Sequence, residues 1–178
     1  TLPGCGAPVV VNAGQKGYYR TLYAPQQFRA LRDGYARLPV VDQLGVMLDA
    51  SALAQTGLQP EADLLDLADQ VPLDASPDLW QLVAGVLGGI DDMFKGQPER
   101  QAAFRKYALS RLSPKFEQLG WESREGDSST VKDLRTSLIG TLSGMGDTFN
   151  ILSPARWDEM KRATAGENFG DMMRRIGL

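Results

Sequence analysis

From Pro25 onward apolar residues recur every three or four positions, the period of a helix with one buried face. Phe28, Leu31, Tyr35 and Leu38 make the first stripe, on a helix that Pro25 opens and that runs to about Leu38. Pro39 starts a second helix with Val41, Leu44, Leu48 and Ala52 toward the core, and Gly57 stands where a left-handed residue would stop it. Pro60 opens a short third helix carrying Leu64, Leu67 and Val71. Ser76 and Pro77 form an N-cap and first-turn pair, with Asp78 where the helix dipole favours an anion. Leu79, Val83, Val86 and Ile90 line that helix, and Gly88-Gly89 weaken its end. Pro98 opens the next one, where Ala103, Phe104, Tyr107 and Ala108 alternate with Arg100, Arg105 and Lys106, and Pro114 is placed to break or kink it. Residues 122–129 are polar and read as a loop. Thr130 with Asp133 approximates a capping box ahead of the Leu134, Leu138 and Leu142 stripe, which Gly144-Met145-Gly146 terminates. Ser153-Pro154 caps a further helix with Trp157 and Met160 on one face, and a last segment holds Phe169, Met172, Met173 and Ile176.

Residues 7–23 follow a different period. Val9, Val10 and Val11 are a β-branched run, residues 12–17 read as a loop, and Tyr18 to Tyr23 form a second run that alternates between two faces. The pattern predicts a short β-hairpin. Two strands alone are marginal in water, so the hairpin needs either a helical surface or a sheet that the rest of the chain does not supply. The sum is a mainly α fold: an irregular α-solenoid of antiparallel helix pairs preceded by a short β-hairpin, with a closed bundle as the alternative arrangement. No repeat of fixed period is present.

Composition narrows the chemistry. The 178 residues include 43% hydrophobic and 23% charged positions, enough for a packed core. There is no histidine, which excludes histidine-ligated zinc, Ser-His-Asp and Cys-His nucleophile systems, and histidine pH switches. A net charge of −3 gives no positive field for nucleic acid. One cysteine, Cys5, cannot form an internal disulfide and lacks a histidine to activate it; with no apolar run of membrane-spanning length and no secretory pattern in residues 1–15, a cytoplasmic location is expected. Gly4-x-Gly6 and Gly14-x-x-Gly17 lack the context of a phosphate-binding loop. Asp91-Asp92 and the group Glu122, Glu125 and Asp127 carry oxygen ligands for a hard cation but not the spacing of a calcium loop, so solvated charges are the simpler reading. Asp49, inside the apolar stretch 44–54, reads as a structural carboxylate with a partner. Lys161, Arg162, Arg174 and Arg175, like Arg100, Arg105, Lys106 and Arg111, read as solvated basic faces. Trp80, Trp121 and Trp157 lie beside helix boundaries, where aromatics lock one helix onto the next.

The segment Val11-Asn12-Ala13-Gly14-Gln15-Lys16-Gly17-Tyr18-Tyr19-Arg20-Thr21-Leu22-Tyr23 resembles the Asn-x-Gly-x-x-Gly-Tyr/Phe-Tyr-Arg-Val-x-Tyr signature of gluzincin zinc aminopeptidases, the M1 family of aminopeptidase N and puromycin-sensitive aminopeptidase. Thr21 stands where valine is usual and Leu22 where asparagine is common. Asp42 and Asp49 match the aspartates of the family's first helical hairpin, with Gln43 where arginine is often found. Trp80 resembles a tryptophan that starts a later helix. Leu112-x-Pro114 with Leu119-Gly120-Trp121, and Asp127 with Leu134-Arg135, resemble later motifs in the same order. The resemblance covers residues 9 to about 147.

This resemblance implies a remnant of a β-sandwich domain over residues 1–24 and part of a C-terminal helical domain over 25–178. It marks Gly17, Tyr18, Tyr19, Arg20, Asp42, Asp49 and Trp121 as structural motif residues and Arg135 as a candidate for the peptide channel. The family's His-Glu-x-x-His zinc helix is impossible in a chain without histidine, and no catalytic or metal-binding residue is assigned. The resemblance therefore implies a non-catalytic C-terminal fragment of a zinc aminopeptidase, with zinc in the parent protein and none here. Its partners would be the peptide substrate and the catalytic and sandwich domains of the same polypeptide, with no nucleic acid and no membrane. It would cap the active-site cavity and control peptide access. The alternative is an independent helical-repeat module that binds a protein or peptide.

Overall fold

A computed structural model describes residues 9–146. Cys5, the helix expected after Ser153-Pro154, Trp157, and the segment of Phe169 to Ile176 lie outside the described residues. Among the described residues the helices are α1 (Pro25–Gly34), α2 (Val40–Gln55), α3 (Glu61–Asp69), α4 (Pro77–Met93), α5 (Pro98–Leu119) and α6 (Ser129–Gly144). Short 3-10 turns occupy Ala13–Gln15 and Tyr35–Arg37. The chain divides into two compact units, one up to Leu79 and one from Trp80 onward.

In the first unit, α2 and α3 pack side by side. Phe28, Leu31 and Tyr35 are buried, as are Leu64, Leu67 and Val71. Gly57 has a φ of +73°, the left-handed conformation that ends a helix without a Cβ clash. Arg32 ties α1 to α3 by donating to Asp66 at 2.8 Å.

The buried face of α2 differs from the expected one. Val41 and Leu48 are exposed and Leu44 is half-buried, whereas Asp42, Gly45, Val46, Asp49, Ala50 and Leu53 are buried. The apolar stripe was the wrong guide because two carboxylates on the opposite face find donors 28 and 29 residues away in sequence. A buried polar side chain costs little once it is hydrogen-bonded, and no helical period reveals such a remote partner.

The expected hairpin is corrected too: no residue from 9 to 23 lies in a strand. A ladder requires backbone N–H groups to face a neighbouring strand. Here the N–H groups of Gly14 and Thr21 donate instead to Asp42 and Asp49 of α2. The segment runs as an irregular strap along a helix, and Val9, Val11, Tyr18, Tyr19 and Leu22 are exposed.

In the second unit, α5 and α6 pack together. The Leu134, Leu138 and Leu142 stripe is completely buried, and so are Ala108 and Leu112. Each such leucine contributes about 1.5–3 kcal/mol of transfer free energy. Helix α4 continues through Gly88-Gly89 to Met93, and α5 continues through Pro114 to Leu119. Helix α6 starts earlier than the Thr130–Asp133 pair suggests, because Ser128 is the N-cap and its hydroxyl accepts from the N–H of Val131.

Candidate functional site

The named motif residues fall into two polar clasps, one in each unit. In the first, Asn12 closes the loop: its Oδ1 accepts from the N–H of Gly17 at 2.8 Å and its Nδ2 donates to the Gly17 carbonyl at 3.0 Å. A Cβ on Gly17 would run into the Tyr19 ring and lie 3.0 Å from Asn12 Oδ1. That close approach explains glycine ahead of the two tyrosines.

The strap then docks on α2. The Gly14 N–H donates to Asp42 Oδ1 at 2.6 Å, and the Thr21 N–H donates to Asp49 Oδ2 at 3.0 Å. Arg20 donates to Asp49 Oδ1 at 3.1 Å. Asp42 and Asp49 are two helical turns apart and so share a face. Gly45 lies between them, and a Cβ there would overlap the carboxamide of Gln15. Tyr18 and Tyr19 are exposed, and Tyr23 accepts from the Val11 N–H at 3.1 Å. Burial pushes the Tyr23 phenol above its usual pKa.

Gln43 stands at a position where the resemblance expects arginine. It is buried and donates to the Tyr35 carbonyl at 3.0 Å, while the Tyr35 hydroxyl donates to the Gln43 carbonyl at 2.6 Å. Burial also drives the Tyr35 phenol pKa strongly upward.

In the second unit Arg135 holds the loop that follows α5. Only 2% of it is exposed. Its Nε donates to the Gly120 carbonyl at 3.1 Å, and its two terminal nitrogens donate to Ser123 Oγ at 3.2 Å and Asp127 Oδ2 at 2.6 Å. Asp127 Oδ2 also accepts from the Arg124 N–H at 2.9 Å. That backbone N–H, followed by the guanidinium, holds the Asp127 carboxyl below the usual range. Gly120 leaves α5 with a φ of +75°, and Trp121 next to it meets Phe116 edge-on at 5.8 Å.

Two arrangements correct the solvated charges expected at Asp91, Arg105 and Arg111. Asp91 is buried and takes a two-pronged contact from Arg105, at 2.7 and 2.8 Å, with Gln101 adding a third donor. Arg105 foremost holds the Asp91 carboxyl below its ordinary pKa. The signal was available, since Asp91 extends the buried series Trp80, Ala84 and Leu87 at helical spacing. Arg111 and Lys115 lie over the Trp80 ring, at 5.6 and 5.9 Å from its centre. Sequence could not pair them, because the ring and the cations are on different helices.

The structure brings Gly17, Tyr18, Tyr19, Arg20, Asp42 and Asp49 into one strap-and-helix assembly, and Trp121 and Arg135 into the loop assembly. Neither contains a nucleophile beside a base. No group of three or more His, Cys, Asp or Glu side chains among the described residues is placed to hold a metal ion. With no histidine in the chain, these residues do not fit a gluzincin zinc site, and no chemical step can be assigned to one here. No helix among the described residues is long and apolar enough to cross a membrane.

Residues 8–162 match the family described as the ERAP1-like C-terminal domain. The chain belongs to that family. Its relatives are aminopeptidases by name. It is 31% identical to glutamyl aminopeptidase of Bitis rhinoceros over 141 residues, which is 77% of this chain and 15% of the relative. It is 28% identical to aminopeptidase 2 of Candida albicans over the same shares. It is 26% identical to aminopeptidase M1-A of Oryza sativa subsp. japonica over 83% of this chain and 17% of the relative. This ERAP1-like domain thus spans about a sixth of the length of the relatives it matches. Both clasps lie inside the matched region.

Proposed function

We propose that this chain is the non-catalytic C-terminal helical part of a zinc aminopeptidase, where it caps the active-site cavity and governs which peptides reach it. The observation that carries this reading is the ERAP1-like match over residues 8–162, joined to several relatives named aminopeptidases that are several times longer. Zinc and the hydrolytic water would belong to the rest of such a protein. The contribution of this part would be exclusion and positioning of the peptide by stacked helix pairs. The strap of residues 12–21 would be where the helical part meets the preceding domain of the same polypeptide. Arg135, fully engaged with its own loop, would act on the peptide by shaping residues 120–127.

Two measurements test this. The isolated chain, with or without added zinc, should not release amine from an aminoacyl reporter; measurable release overturns the non-catalytic assignment. In the full-length enzyme, Arg135→Ala should change kcat/KM for long peptides while sparing a single-residue reporter. An equal change for both substrates overturns the role in peptide access.

A further inference from the structure

Beyond the 3-10 turn at Ala13–Gln15 the strap has no regular secondary structure, yet its course is specified at three successive points on one helix. Asp42, Gly45 and Asp49 occupy positions i, i+3 and i+7 of α2 and so form a single stripe. The first takes the Gly14 N–H, the second leaves room for the Gln15 side chain, and the third takes the Thr21 N–H and the Arg20 guanidinium. Both carboxylates are buried, at 5% and 6% exposure, so water competes poorly for their oxygens. Arg20 is 55% exposed and supplies the neutralising charge from the solvent side. The Asn12 clip keeps the intervening turn from opening between these points.

We propose that this stripe is a built-in template. Helix α2 by itself fixes the path of residues 12–21, so the joint at the start of α1 is ordered before and without any sheet. The inference goes beyond the aminopeptidase reading and does not depend on what precedes residue 9. It has one structural corollary. Gly14 and Thr21 have already given their N–H groups to α2, so a neighbouring strand has to pair with other donors of the strap.

Cleavage of the Lys16–Gly17 bond by trypsin tests the template, because Lys16 is exposed and makes none of these bonds. The purified chain is compared with a synthetic peptide of residues 9–24, and the bond is followed by mass spectrometry while helix melting is followed by circular dichroism. In the chain the bond should be cut on the order of a hundredfold more slowly than in the peptide. Asp49→Asn, which loses the charge and one of the two acceptor oxygens, and Asp42→Leu, which accepts none, should each speed the cut about tenfold with the helix melting nearly unmoved. Arg20→Gln changes only an exposed side chain, so it provides the same readout if a buried substitution prevents folding, and it should also accelerate the cut. A wild-type bond cut at the peptide's rate overturns the proposal. So do variants that cut at the wild-type rate, or a cut that rises only in step with global melting.

Discussion

Each unit contains a stretch of irregular chain held down by buried charge, but the polarity of the two arrangements is opposite. On α2 the helix supplies anions, and the strap brings backbone N–H groups and an exposed arginine to them. On α6 the helix supplies one buried cation, and the loop brings a carbonyl, a hydroxyl and a carboxylate. The carboxylates divide the work between two residues, so either can fail without releasing the whole strap. The guanidinium concentrates it in one planar group with fixed donor directions. The two units are therefore vulnerable in different ways. One side chain makes three of the hydrogen bonds that hold the loop of residues 120–127, whereas the strap is a distributed contact.

The largest effect should come from that single side chain. Arg135→Ala removes one donor each from the Gly120 carbonyl, Ser123 and Asp127 and should cost about 3 kcal/mol in urea unfolding. Arg135→Lys keeps the charge but cannot reach three acceptors in three directions, and should recover less than half of the loss. Full recovery by lysine would mean that charge alone, and not the fork, holds the loop. Acid probes the same contrast more gently. The Asp91 and Asp127 carboxyls have folded pKa values below their unfolded ones, so their stabilisation is complete above the unfolded pKa of about 3.9. It fades as the pH falls further, through the lower folded values. Urea midpoints between pH 5 and pH 2 should therefore decline for the wild type, and Arg135→Ala should show a shallower decline because part of the titrating advantage is already gone.

A third substitution concerns the strap's own unit without touching its carboxylates. Tyr35→Phe removes a hydroxyl that donates to Gln43 in a fully buried position and should cost about 1 kcal/mol. The Lys16–Gly17 bond should stay as protected as in the wild type, since the strap is anchored elsewhere. Loss of that protection in Tyr35→Phe would show that the strap is held by general packing of the unit and not by the stripe on α2.

How far the sequence carried this picture depended on where each residue's partner lay. The stripes of α3, α4 and α6 were readable because Leu64, Val83 and Leu138 belong to faces whose burial repeats within one helix. The stripe of α2 was misread because Asp42 and Asp49 look solvent-facing until the strap is known. The hairpin was misread for the same reason, from the other side: nothing local in Tyr18 to Tyr23 says that Arg20 and Thr21 attach to a helix. Proline gave boundaries well at Pro25, Pro60, Pro77 and Pro98, but Pro114 sits inside a continuous α5. At the candidate site the motif residues were legible by resemblance. Their roles were not, since Arg135 closes on a loop whose acceptors lie 8, 12 and 15 residues away.

The smallest expected effect comes from the same substitution made in the two helices that carry the clasps. Gly→Ala inside a helix ordinarily stabilises by about 1 kcal/mol, because alanine loses less backbone entropy. Gly140 in α6 has no neighbouring heavy atom within 4 Å of a new Cβ, so Gly140→Ala should approach that gain in urea unfolding. Gly45 in α2 has the Gln15 carboxamide where the Cβ would go. The long Gln15 side chain can swing aside, at the loss of its contacts with Asn12 at 3.2 and 3.3 Å. Those long hydrogen bonds are worth about 0.5 kcal/mol each at most. The helix gain and the strap loss then nearly cancel, and Gly45→Ala should leave the urea midpoint within about 0.5 kcal/mol of the wild type. A full gain at Gly45, equal to that at Gly140, would mean that Gln15 does not rest there and that the template on α2 has two points of attachment instead of three.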